Sequence, residues 1–408
     1  MEEKNWGKEI ILGMQMLFVA FGALVLVPLL TGMNPSIALF TAGAGTLLFQ
    51  FITKASVPVF LASSFAFIAP IQISIQQFGL GATLGGLASA AIVYLILSAL
   101  IKLRGIKIIE QYLPPIITGP IIMIIGLKLA PIAVGMTKNF TGGKETDYLA
   151  VIVALFSLTV TVFIVLKGKG MLKLFPILSG IAAGYILCLI LGKVDVSPIV
   201  NSAWFSIPWL DGLKDGSFAF PEFDIRAILF ILPVAIAPAI EHVGDILAIS
   251  EVAKKDFIEN PGLHRTLLGD GLATLLASML GGPPNTTYSE VTGAVALIKR
   301  FEPRLMIIAA ITAVVLAFFG KLGAILKTIP SPVMGGIMVL LFGMIAAIGI
   351  GTLVNHKVDM SKSRNLVIVS IILIFGIGDM VLGWGEFQLA GIGLAGIVGV
   401  VLNRILPE

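Results

Sequence analysis

The feature that most constrains this chain is the recurrence of apolar runs about as long as a bilayer is thick. A helix crossing the hydrocarbon core needs about 20 mostly apolar residues. Such runs fall at 10–30, 36–53, 60–76, 82–101, 114–135, 149–166 and 173–192, and again at 226–253, 263–280, 286–298, 304–320, 329–352, 364–380 and 386–403. Fourteen spans with short connections use up most of the 408 residues, so no sizeable water-exposed domain fits. Composition agrees: 57% of residues are apolar and 12% charged, against roughly 25% charged in an ordinary soluble domain.

The expected class is therefore an all-α polytopic membrane protein. Its divisions are 1–192, a connecting stretch at 193–225 and 226–408, with seven spans on each side of the connection. That connection contains the longest polar stretch, together with Trp204 and Trp209, and reads as an extracellular or periplasmic interfacial loop. The single cysteine, Cys188, excludes an intrachain disulfide framework. The net charge of +4 is spread over short connections with no basic stripe, which argues against nucleic acid as a partner. The segment Met1 to Glu9 lacks the basic start of a secretory signal, so the first helix is expected to be retained.

Cytoplasmic connections hold an excess of Lys and Arg. With the N-terminus inside, 19 of the 27 basic residues fall on the cytoplasmic side, which places both termini in the cytoplasm of a multi-pass protein in the cell membrane. An odd number of spans per half means that two similar halves enter the membrane with opposite orientation, an inverted repeat. Pro115, Gly119 and Gly126 match Pro332, Gly336 and Gly343 at a constant offset of 217, and Ser63-Ser64-Phe65 matches Thr286-Thr287-Tyr288 at an offset of 223.

Spans 3 and 10 are unusual for membrane helices. Leu61 to Phe67 and Gly281 to Tyr288 are rich in small, hydroxyl and helix-disfavouring residues, including Pro283-Pro284-Asn285. Each is expected to begin extended, with helix resuming near Phe67 and Ser289 and leaving N–H groups free to face a cavity. Paired broken segments are the best sequence pointer to a transporter's binding site.

A carboxylate at bilayer mid-depth costs at least about 2.5 kcal/mol, so acids there usually have a function. Glu241 lies near the middle of span 8, Asp245 is one turn later on the same face, and Glu290 opens the helical part of span 10. Two like charges stacked in oil are a natural place for a shared proton, which makes Glu241 and Asp245 the candidate proton carrier. Asp270 and Glu251 read as ordinary residues near water at cytoplasmic helix ends. His242 is rotated about 100° from Glu241 on the same helix, so these residues cannot converge on a metal; none is expected. Glycine pairs such as Gly43 and Gly45, or Gly391 and Gly393, read as close helix packing.

Carboxylates accept from N–H groups, backbone N–H groups donate to carbonyls, and Phe65 with Tyr288 forms an apolar wall. The complement is a small, flat, neutral molecule bearing both N–H and C=O, as nucleobases do. With no intramembrane Lys or Arg evident, an anion would meet uncompensated acids. An intramembrane enzyme would need a nucleophile or metal constellation that is not evident, so no enzymatic activity is expected.

The stretches Ile240-Glu241-His242-Val243-Gly244-Asp245, Pro261-Gly262-Leu263-His264-Arg265, Pro284-Asn285-Thr286-Thr287-Tyr288-Ser289-Glu290 and Pro332-Val333-Met334-Gly335-Gly336 resemble the nucleobase:cation symporters of the nucleobase-ascorbate transporter family, the bacterial uracil permease branch most closely. The likeness runs nearly end to end. It implies a core domain of spans 1 to 4 and 8 to 11, a gate domain of spans 5 to 7 and 12 to 14, a homodimer and an elevator-like motion. Carried over by position, Glu241 and Glu290 would hydrogen-bond the base. The backbone N–H groups of Phe65 and Ser289 would meet its carbonyls, Ala23 and Tyr288 would line the pocket, and Phe342 would line it from the gate. Gln15-Met16, Asp245, Phe342 and Val291-Thr292-Gly293 depart from the uracil permease pattern. Asp245 is similar to purine-transporting relatives, whereas Glu290 is like the pyrimidine branch. The resemblance implies a proton-coupled importer of uracil or a close pyrimidine, with xanthine or another purine as the alternative cargo. It implies no cofactor beyond the coupling ion, a proton, with sodium as the alternative.

Overall fold

The computed structural model describes residues 6–105, 111–141, 143, 145–169, 172–173, 175–378, 380–384 and 387–407. Lys4, Lys107 and Lys144 of the charge count lie outside these residues. Helices dominate. In chain order the first part holds α1 (Trp6–Thr31), α2 (Pro35–Ile52), β1 (Leu61–Ser63), a 3-10 turn at Phe65–Phe67, α3 (Ile68–Arg104), α4 (Pro115–Thr137), α5 (Tyr148–Lys167) and α6 (Pro176–Ile190). The polar connection carries two short helices, α7 (Ser197–Asn201) and α8 (Pro208–Asp215). Beyond it come α9 (Ile225–Ile231), a 3-10 turn at Leu232–Ala235, α10 (Ile236–Ala253), α11 (Leu263–Met279), β2 (Asn285–Thr287) and α12 (Ser289–Ile298). The chain ends with α13 (Pro303–Ala317), α14 (Gly320–Lys327), α15 (Ser331–Asn355), α16 (Ser363–Ile377), β3 (Val381–Trp384), β4 (Phe387–Ala390) and α17 (Gly391–Ile405).

Among the described residues, seven helical stretches are long and apolar enough to cross a membrane, and α6, α13, α16 and α17 are shorter apolar helices. Local chemistry sets several boundaries. Asn34 caps α2, its Oδ1 accepting from the backbone N–H of Ser36 at 2.9 Å and of Ile37 at 3.3 Å, with Pro35 in the first helical position. Asp147 caps α5 in the same way through Leu149. The runs at 60–76 and 82–101 are joined in α3 across a break at Gly79, whose φ of 84° and ψ of 168° suit a residue without Cβ.

Two expectations needed correction. The run at 386–403 is not helical throughout: Phe387–Ala390 pairs antiparallel with Val381–Trp384 in a hairpin, and helix begins only at Gly391. A short apolar stretch rich in Val, Trp and Phe suits a strand as well as a helix, and hydropathy alone does not separate them. The run at 304–320 ends at Ala317, and Gly320–Lys327 forms a separate helix pinned by Gly320 N–H to Trp204 O at 3.0 Å and Ser206 N–H to Phe318 O at 2.9 Å. The connection after residue 193 carries α7 and α8 and is anchored to the helices. Trp209 Nε1 donates to Leu280 O at 2.8 Å and its ring packs edge-on against Phe40, 4.9 Å between centroids.

The most extensive helix interface joins α4 to α15. Helix α11 packs on α3 and α2, α13 on α2 and α1, α5 on α6 and α15, and α16 on α17 and α4. Small residues make the α4–α15 approach possible. A Cβ added to Gly126 would stand 2.7 Å from the Ala346 backbone nitrogen and nearer still to the Phe342 carbonyl. Rigid backbone cannot yield cheaply, so Gly126→Val is expected to destabilise the fold by about 1–3 kcal/mol, read as a lower melting temperature in detergent. Gly43 meets the same limit at the Ala310 carbonyl.

Candidate substrate site

The two broken segments lie side by side. Strand β1 pairs antiparallel with β2 in the register Leu61 to Thr287, Ala62 to Thr286 and Ser63 to Asn285, and Ser64 N–H continues the ladder to Pro284 O at 2.9 Å. Extended backbone at membrane depth is tolerated only where protein satisfies it, and here the neighbouring helices do so. Leu61 N–H donates to Thr46 Oγ1 at 2.9 Å, Thr274 Oγ1 donates to Asn285 O at 2.7 Å, and Asn285 Nδ2 donates to Thr41 O at 3.0 Å. Gln50 Nε2 reaches Val57 O and Val59 O on the approach to β1.

Helix resumes as the sequence predicts. The 3-10 turn starts at Phe65 after an extended Ser64, and α12 starts at Ser289 after an extended Tyr288. Among the described residues neither the Ser64 nor the Tyr288 side chain caps its helix start, so each presents backbone donors of the kind that receive a carbonyl or an anion. Three aromatic rings meet between these starts and α15. Phe65 lies 6.2 Å from Tyr288 and 6.0 Å, edge-on, from Phe342, and all three are buried. The Tyr288 hydroxyl approaches the backbone of Ala23, itself fully buried in α1.

The acids complete the arrangement. Glu241 on α10 and Glu290 in the first turn of α12 are both half-buried, and they lie within electrostatic reach of each other, of Asp245 and of Tyr288. Asp245 is buried and accepts a hydrogen bond from Thr287 Oγ1 at 2.8 Å. Strand β2 thus ties an acid of α10 to the same segment that delivers Tyr288. The structure brings together Glu241, Asp245, Glu290, Phe65, Tyr288 and Phe342, with the backbone of Ser289 beside them.

Asp270 requires a correction. It is not near water: its exposure is 0%, and its Oδ2 lies 3.1 Å from Nδ1 of His242, which is also fully buried. Thr286 and Tyr94 are close by. Helix α11 is enclosed by α2 and α3, so distance from the helix end misjudged its surroundings. A signal was present, since Thr266, Asp270, Thr274 and Ser278 recur every fourth residue and all are buried, a polar stripe that marks a helix surrounded by protein. Glu251, by contrast, is exposed. A second correction concerns basic residues: Lys128 stands inside α4, half-buried and partnered. Glu241 and Glu290 nevertheless have other carboxylates near them, Asp245 beside both and Asp270 beside Glu241.

The family model described as "Permease family" (Xan_ur_permease) matches residues 7–383. The chain belongs to this permease family. It is a membrane transporter and not an enzyme. A probable uracil permease of Haemophilus influenzae is 54% identical over 410 residues, covering 100% of this chain and 96% of the relative. The uracil permease of Bacillus caldolyticus is 44% identical, covering 98% and 92%, and that of Escherichia coli K12 is 39% identical, covering 97% and 90%. Among solved structures, the transmembrane domain of the cyanobacterial bicarbonate transporter BicA superposes with a TM-score of 0.66 at 13% identity, covering 99% of this permease and 98% of that chain. The murine anion transporter Slc26a9, in its inward-facing state, gives 0.69 at 11% identity, covering 99% and 69%. At such identities the likeness is one of fold.

Proposed function

We propose that this permease is a proton-coupled symporter that imports uracil, or a close pyrimidine base, across the cytoplasmic membrane. Relatives named as uracil permeases match it over nearly its whole length. The observation that carries the reading is the convergence of Glu241 and Glu290 with two uncapped helix starts and an aromatic wall. A flat, uncharged ring bearing N–H and C=O groups uses every part of that set: carboxylates accept its N–H groups, the starts at Phe65 and Ser289 donate to its carbonyls, and Phe65, Tyr288 and Phe342 face its ring. An anion would meet the carboxylates of Glu241 and Glu290 at close range.

In this reading the chain comprises two inverted sevens. The core holds α1–α3 and α9–α13, the gate holds α4–α6 and α15–α17, and gate helices form a homodimer interface. The antiparallel crossing of β1 and β2, and the extensive packing of α4 on α15, which carry the matched Pro and Gly positions, support the repeat. A proton taken up at Glu241 and Asp245 from outside favours binding of the base. The loaded core moves inward against the gate, and proton release inside weakens binding. Such coupling works only if the proton binds the loaded, transport-competent state more tightly. Both termini face the cytoplasm, as the distribution of Lys and Arg supports.

Asp245 favours a second reading, the same machine with xanthine or another purine as cargo. Competition separates the two. Excess unlabelled uracil is expected to suppress labelled uracil uptake in proteoliposomes while xanthine leaves it unchanged, and the reverse order of potency would assign the purine.

A further inference from the structure

Away from the substrate site, a groove of about 540 Å³ opens between α3, the α9–α10 junction and α17. One wall is a stripe on α3 made by Val93, Leu97, Leu100 and Arg104, at positions i, i+4, i+7 and i+11 of a helix. The facing wall is apolar, built from Pro233 and Ile236 at the 3-10 break and Val400 on α17. Gly393 allows α17 to lie close to Pro233, where an added Cβ would stand 2.8 Å from the ring. Val93 to Arg104 spans about 16 Å at 1.5 Å per residue, close to half of the roughly 30 Å hydrocarbon thickness. The groove therefore has the length of one leaflet.

Its ends differ in chemistry. Among the described residues Arg104 is the only charged one in the lining; it is exposed and makes no ion pair or hydrogen bond with any of them. Tyr112, 41% exposed, adds a hydroxyl from the connection that follows α3. An apolar slot one leaflet long, with an exposed guanidinium at its mouth, complements an acyl chain joined to a phosphate.

We propose that this groove holds one anionic phospholipid, its acyl chain along the α3 stripe and its phosphate on Arg104 and Tyr112. The lipid sits between α3 and α17, which the functional reading above assigns to core and gate. Occupancy itself does not depend on that reading.

The test is native mass spectrometry of the purified full chain, with phosphatidylglycerol or phosphatidylcholine titrated into detergent. Wild type is expected to retain one phosphatidylglycerol about fivefold more tightly than phosphatidylcholine, the effect of one basic residue at a membrane surface. Arg104→Gln, at an exposed position, is expected to bring the two lipids to parity. Val400→Trp, filling the slot, is expected to reduce retention of both. Equal retention of the two lipids by wild type, or an unchanged preference in Arg104→Gln, would overturn the proposal. Displacement of phosphatidylglycerol by millimolar inorganic phosphate would also overturn it, by showing a site for a free anion. Base uptake is not the readout, so loss of this result and loss of the transport assignment are separable.

Discussion

Replacing Glu241 by Gln is expected to abolish concentrative uptake driven by a proton gradient. The substitution keeps the volume of the side chain and one acceptor oxygen, so α10 should pack as before. It removes the negative charge that strengthens a hydrogen bond from the base and the group that titrates. A hydrogen bond to a charged partner contributes about 1.5–3 kcal/mol, so affinity should fall about 10–100-fold. The loss of accumulation should be complete, because a side chain that cannot titrate cannot link the proton to the loaded state. The measurement is labelled base accumulated by proteoliposomes across an imposed pH gradient, beside equilibrium binding to the same purified variant. Unaltered pH-dependent accumulation would refute the role given to Glu241. Retained binding with lost accumulation would place its contribution in coupling.

The second large effect concerns stability. Asp270→Ala is expected to destabilise the protein by about 3 kcal/mol or more, since it leaves His242 fully buried without the carboxylate 3.1 Å from its Nδ1. Enclosed polar groups have no water to fall back on. Pairing that change with His242→Leu should recover much of the loss, because an apolar side chain of similar size needs no partner in a dry site. Unfolding followed by tryptophan fluorescence in detergent for the wild type, both single variants and the double variant gives the coupling energy directly. Additive losses would show that the two residues do not act as a pair. Thr286, next to this pair, and Thr287, which donates to Asp245, lie in sequence on β2, so the same strand touches both buried acidic positions.

Much of this was legible before any coordinates. The apolar runs predicted the positions of most helices, because in a bilayer each backbone polar group must be satisfied within its own segment. The breaks at Leu61–Ser63 and Asn285–Thr287 announced themselves through small, hydroxyl and proline residues where apolar ones belong. Glu241, Asp245 and Glu290 stood out by their rarity at depth. Other features were hidden. A strand and a short helix share the same hydropathy, so the β3–β4 hairpin was indistinguishable from the start of a span. Asp270 was misjudged because a helix whose surroundings are protein on every side follows no rule based on distance to the water surface.

What the sequence determined by itself is which segments enter the apolar phase, where two of them stop being helix, and which few acids go in with them. These are local consequences of side-chain transfer energies and backbone hydrogen bonding. The tertiary structure alone decided that β1 and β2 lie against each other, that Phe342 reaches Phe65 across more than half the chain, that His242 takes Asp270 as its partner, and that an apolar groove along α3 includes Arg104 in its lining. Those facts depend on how the surfaces of separate elements interlock, and neither element alone specifies which partner it meets.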